Sequence, residues 1–140
     1  MSIHRSLLLL PLLLILTACF WGDEYEDEQI VGNYYVSGLD GGWEEPMKDA
    51  YLHFHDEKFG LADALFPRTL SNIGFSKKCL IMLTSPPNEQ YYIARIISGA
   101  DREVARKNIL GPFNKQDFLR KLEQVNGDTL VSFTYYFANL

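Results

Sequence analysis

Two cysteines, three histidines and several neighbouring carboxylates are the residues of this chain with chemical potential. His53-x-His55 has the first claim. On a strand, residues i and i+2 share a face, so both imidazoles could reach one Zn²⁺ or Cu²⁺ ion. The third histidine, His4, lies close to the start of the chain. A metal site would therefore need Asp56, Glu57 or a more distant carboxylate. The competing reading is a polar sheet face shared with Tyr51, and two ligands without a third assign no metal and no cofactor.

The hydrolytic templates fail. No serine sits in a Gly-x-Ser-x-Gly turn; Ser37 is followed by Gly38 but has Tyr35 two places before it. Glu44-Glu45 and Asp23-Glu24 are adjacent, so on an extended chain their carboxylates diverge. Asp40-Gly41-Gly42 lacks the regular oxygen ligands of a calcium loop. Cys79 lies in Lys78-Cys79-Leu80-Ile81-Met82-Leu83, an apolar run of the kind that forms a buried strand, and burial raises a thiol pKa and silences it. No catalytic residue is assigned, and binding rather than catalysis is expected.

The elements that must position these residues begin with an export signal. Arg5 supplies a positive start, and Leu7 to Leu16 is an apolar run broken only by Pro11. Small residues then precede Cys19, the pattern of a secretory signal. The run is too short to span a bilayer, which takes about 20 residues, and Asp23, Glu24, Glu26, Asp27 and Glu28 end it.

Leu16-Thr17-Ala18-Cys19 resembles the bacterial lipobox, an aliphatic residue and two small ones before a cysteine that receives a diacylglyceryl group. The resemblance implies cleavage before Cys19, lipidation of its sulfur (palmitate among the acyl chains) and anchoring outside the cytoplasm. Two or three chains hold stably where one holds marginally, at about 0.8 kcal/mol per buried methylene. Phe20 rather than Asp follows the cysteine, which in this family favours the outer membrane, facing the periplasm. Cleavage would leave 122 of the 140 residues, enough for one domain. It would remove Arg5 and take the formal charge from −5 to −6. An acidic domain gains nothing from nucleic acid, whose binding rests on cationic side chains, and it is no polybasic lipid-surface binder.

Residues 1–18 thus read as signal, 19–28 as the lipidated cysteine and an acidic tether, and 29–140 as one globular domain. Charged tethers self-repel and extend. Ile30 to Val36 is rich in β-branched and aromatic residues and predicts a strand. Gly38 to Pro46 predicts a loop. Ala50, Leu52 and Phe54 alternate with Tyr51, His53 and His55, predicting a half-buried strand, and Asp56-Glu57-Lys58 with Gly60 predicts a turn into Leu61 to Phe66. Cys79 to Thr84 and Gln90 to Ile97 predict a strand pair joined at Ser85-Pro86-Pro87-Asn88. Gly99 to Asn108 is either a loop or one or two helical turns. Asn114 as cap, Asp117 three residues on, an apolar face of Phe118, Leu122 and Val125, and Gly127 as terminator predict a helix. Leu130 to Phe137 predicts a last strand. The sum is an α+β domain: a mostly antiparallel sheet of five to seven strands packed with one helix in the C-terminal half.

Gly32-Asn33-Tyr34-Tyr35, Tyr91-Tyr92-Ile93, and Gly111-Pro112 ahead of Phe118 resemble, in that order, small bacterial lipoproteins grouped as a domain of unknown function. The resemblance implies no activity. Two expectations of function follow. One is a protein-binding or envelope-associated domain using a sheet face or edge. The other is an immunity-type inhibitor of a secreted toxin, with Trp43, Glu44 and Glu45 as candidates in the exposed loop and tyrosines as contact residues.

Overall fold

The computed structural model describes residues 25–42, 44–58, 60 and 63–139. The signal, Cys19, Trp43 and Leu61 lie outside them. Eight strands and two helices follow in the order β1 (Tyr25–Val31), β2 (Tyr34–Leu39), β3 (Lys48–Phe54), β4 (Leu70–Phe75), β5 (Cys79–Thr84), β6 (Tyr91–Arg95), α1 (Arg102–Lys107), β7 (Ile109–Phe113), α2 (Lys115–Asn126) and β8 (Tyr135–Tyr136). β1 to β7 form one sheet in sequence order, with β8 added against β4. Every ladder between strands is antiparallel. The α+β class follows from this antiparallel sheet and the helix packed on it.

Alternation explains the first half of the sheet. Tyr34 and Val36 of β2, and Ala50, Leu52 and Phe54 of β3, all face inward and are buried. They meet Leu70 and Ile73 of β4, Leu80 and Met82 of β5, and Tyr92 and Ala94 of β6 in one cluster, so the sheet curls over itself. The Tyr34 hydroxyl crosses that core to donate to the Arg95 carbonyl at 3.3 Å. Leu65 and Phe66 close one side of the cluster. Their anchor is the Leu65 N–H, which donates to the Leu52 carbonyl at 2.7 Å.

The second half is covered on its other face as well. Cys79 and Ile81 of β5 and Ile93 of β6 pack on Phe118 and Leu122 of α2, with Phe113, Val125, Val131 and Phe133 at the rim. Tyr91 stacks on Phe118, ring centroids 4.7 Å apart. α2 starts and stops where its sequence requires. Asn114 Oδ1 accepts from the Asp117 N–H at 2.9 Å, and Asn114 Nδ2 donates back to the Asp117 carboxylate at 2.7 Å. Gly127, at φ 97°, ends it in the left-handed conformation that glycine adopts without penalty.

β3 and β4 share only one register pair, Ala50 with Leu70. The C-terminal segment fills the remainder of that seam. The N–H groups of Thr134 and Phe137 donate to Ile73 and Ser71 of β4, each at 2.9 Å. On the other side, the Ala138 N–H donates to Met47 at 2.9 Å and the Ala138 carbonyl accepts from Asp49 at 3.1 Å.

Several elements depart from the pattern in the sequence. The strand expected over Ile30 to Val36 is a hairpin, because Gly32 (φ 55°) and Asn33 form a two-residue turn between Val31 and Tyr34. β1 reaches back to Tyr25, into the stretch assigned as tether, where Tyr25 to Glu28 are exposed and lack any apolar alternation. No strand occupies Asp63 to Phe66; Leu65 and Phe66 are buried there as a plug instead. The missing strand is β4, whose Asn72 and Gly74 are poor strand formers. Of Leu130 to Phe137 only Tyr135–Tyr136 is strand, and Leu130 is 82% exposed. Gly99 to Asn108, open between a loop and one or two helical turns, does contain a helix, α1, capped by the Asp101 side chain.

Gly74 explains why β4 tolerates its composition: a Cβ there would collide with the Ser132 carbonyl and come within 3.0 Å of the Phe133 Cα. Gly74→Ala is expected to cost about 1–3 kcal/mol by overpacking, measured by urea unfolding. It should also speed amide exchange at Thr134 and Phe137. Gly99→Ala is the control, since Gly99 (φ 69°) has open space around it; it should cost about 1–2 kcal/mol through backbone strain alone, with the exchange of those two amides unchanged.

Candidate functional site

The two halves of the sheet differ in what covers their outward faces. α2 packs on β6 and β7. The outward face of β1 to β3 carries exposed or half-buried side chains arranged in cross-strand rows. Gln29, Tyr35 and His53 form one row, Asp27, Ser37 and Tyr51 the next, and Tyr25 with Leu39 the third. The inward faces of β2 and β3 hold the core, so parity alone sends these residues outward. Tyr25 is 77% exposed and Tyr51 is 37% exposed. Ser37 Oγ donates to the Asp27 carboxylate, tying β1 to β2 on this face. His55 follows β3; its ring centroid lies 6.1 Å from that of Tyr35, and its N–H donates to the Asn33 carbonyl at 2.8 Å.

His53 and His55 therefore sit at one corner of the face, each beside Tyr35. Among the described residues no group of three His, Cys, Asp or Glu side chains is placed to hold a metal ion. What the arrangement offers is contact chemistry. Tyrosines combine a large apolar ring with a polar tip, the histidines and Ser37 add hydrogen-bonding capacity, and the strands beneath hold all of them in fixed register.

Cys79 is fully buried in the second cluster. Burial pushes its thiol pKa up, and the Ser76 hydroxyl, 3.7 Å from Sγ, offsets this in part. Ser76 is itself committed, donating to Asn126 Oδ1 at 2.7 Å. The thiol is a core group. Of the loop candidates, Glu44 is exposed at φ 66° and Glu45 pairs with Lys48 at 3.0 Å.

A broad groove of about 1030 Å³ runs between the Asp56–Lys58 turn and α1. Its charges are of both signs, and several already have partners. Lys107 pairs with Glu103 at 2.7 Å, Asp101 caps α1, and Arg102 donates to the carbonyls of Asp63 and Ala64. The sequence did not reveal this groove, because its walls lie some 40 residues apart in the chain. The aromatic face was legible in principle, since Tyr35, Ser37 and Leu39 alternate with buried Tyr34, Val36 and Gly38.

The two buried acids make a pH prediction. Desolvation raises the pKa of both Cys79 and Tyr34 in the fold. Each group then holds its proton more tightly folded than unfolded. Its stabilising contribution is complete below the unfolded pKa, about 8.5 for a thiol and 10 for a phenol, and is lost as pH rises through the folded value. Urea midpoints should be flat from neutrality to about pH 8 and then decline. Cys79→Ala should lower stability at pH 7 yet flatten the first part of that decline; an unaltered slope would show that the thiol does not contribute. Comparison with known proteins assigns nothing further: no protein-family model, no curated protein and no solved structure matches this chain.

Proposed function

We propose that this protein is a lipid-anchored extracytoplasmic binding domain, tethered through Cys19 at the outer membrane and facing the periplasm, that holds a protein partner on the outward face of β1 to β3. Leu16-Thr17-Ala18-Cys19 behind an apolar run supports the anchor, and Phe20 supports the outer membrane. The single observation that carries the binding reading is the face itself, with Tyr25, Tyr35, Tyr51 and His53 presented on paired strands and His55 just beyond the end of β3. Aromatic residues dominate the energetic centres of protein interfaces, whereas scattered charges contribute little.

Anchor and face are close in the chain. β1 begins at Tyr25, six residues beyond Cys19. A six-residue segment spans at most about 20 Å, so the reading places the partner-binding face near the headgroups and limits its partners to those that reach the membrane surface.

Two measurements test the two parts. Cells expressing the full chain should incorporate labelled palmitate, and Cys19→Ser should abolish the label and release the protein from the membrane fraction with its urea midpoint unaltered. A photo-crosslinking residue placed at Tyr51 should capture a discrete partner, while the same residue at Glu123, on the exposed side of α2, should not. Equal capture from both positions would remove the face as the binding site.

A further inference from the structure

We infer that the free edge of β1 accepts an extended, lysine- or arginine-rich segment of a partner protein as an added antiparallel strand; this rests on the binding reading above and specifies the chemistry of the partner. Among the described residues β1 ends the sheet and pairs only with β2. It offers a row of backbone donors and acceptors from Tyr25 to Gln29, ahead of the register shift between Gln29 and Val31, and carries no proline or lysine. The opposite edge is different in kind: β7 carries Pro112, which has no N–H to donate, beside Gly111.

The side chains of β1 state what may lie beside it. Glu26 and Glu28 stand opposite Gly38 and Val36, on the inward side of the sheet, yet both are exposed because the core reaches β1 only at its end, at Ile30 and Val31. Asp27 stands on the outward side, between Tyr25 and Gln29 in alternation. Carboxylates therefore project from both faces of the same strand. An added strand alternates its side chains in the same way, so its cations meet negative charge whichever parity they occupy. The ring of Tyr25, mostly exposed, gives an outward-facing cation a further contact. No Lys, Arg or His occurs from residue 25 to residue 39, so nothing on β1 or β2 neutralises these charges from within.

The same charges argue against a second copy of this chain as the occupant. Antiparallel pairing of β1 with itself would set Glu26, Asp27 and Glu28 against their own counterparts, and like charges directly opposite are destabilising. A cationic strand reverses that sign. Adding a strand to an exposed edge obtains affinity from main-chain hydrogen bonds and specificity from the flanking side chains.

The test uses the full chain in detergent micelles and a short peptide alternating lysine and threonine, with binding read by fluorescence anisotropy and its site by amide exchange. The peptide should bind, add protection at β1 and leave the groove beside α1 unprotected. Affinity should fall with added salt, and Glu26→Lys with Glu28→Lys should weaken binding by at least about tenfold. In that variant the exchange of the β2–β3 ladder reports that the fold is retained; should it be lost, Glu26→Gln with Glu28→Gln replaces it, with a smaller loss expected. The inference is overturned if a peptide of the same charge interrupted by prolines binds as tightly, if protection falls on β3 or α1 instead of β1, if the chain dimerises through β1, or if no binding is seen. A crosslink retained at Tyr51 alongside any of these results would leave the face reading standing and remove only the edge.

Discussion

β5 is the strand on which the architecture turns, because it is buried on both sides. Leu80 and Met82 face the cluster enclosed by the curled sheet, and Cys79 and Ile81 face α2. Each is at most 1% exposed. Burying one such aliphatic side chain contributes about 1.5–3 kcal/mol, and here a few consecutive residues feed two cores at once. The consequences spread outward from there. α2 needs a strand whose second face is apolar; the curl of β1 to β3 needs a partner surface for Val36, Leu52 and Phe54. A polar residue anywhere in that run would be left without water or partner in one cluster or the other, which explains why even its cysteine behaves as a hydrophobe.

Burial of only one face of β2 and β3 is the complementary fact. The core requires Tyr34, Val36, Ala50, Leu52 and Phe54 to point inward, and strand geometry then forces Tyr35, Ser37, Tyr51 and His53 outward. Among the described residues, α2 is committed to the other half of the sheet. The histidine pair is one corner of a larger polar and aromatic surface, and its neighbours across the strands are Tyr35 and Gln29.

What was legible in the sequence follows the same division. Local signals were sufficient for α2, where Asn114, the Phe118–Leu122–Val125 face and Gly127 agree, and for β5, where an unbroken apolar run has one explanation. They were sufficient for β3, where alternation is clean. They failed where tertiary contacts override propensity. β4 contains Asn72 and Gly74 and is held by its ladder to β5, with Gly74 leaving room for Ser132 and Phe133. β1 is held by its ladder to β2 with little burial, so no hydrophobic period marks it. Leu65 and Phe66 imitate a strand end because a plug and a strand require the same apolar residues. The histidine corner was visible from its i, i+2 spacing, whereas the rows that make it part of a surface depend on cross-strand register, which a single strand does not encode.

The seam between β3 and β4 bears on the order in which the fold can be completed. Residues 134 to 138 hydrogen-bond to both of those strands, so the enclosed core lacks a wall until the far end of the chain arrives. Contacts of such sequence separation form slowly, since loop closure must precede any gain from them. The contacts that close β3 against β4 are therefore among the last to be available, and the wall they complete is added after the rest of the sheet has its partners.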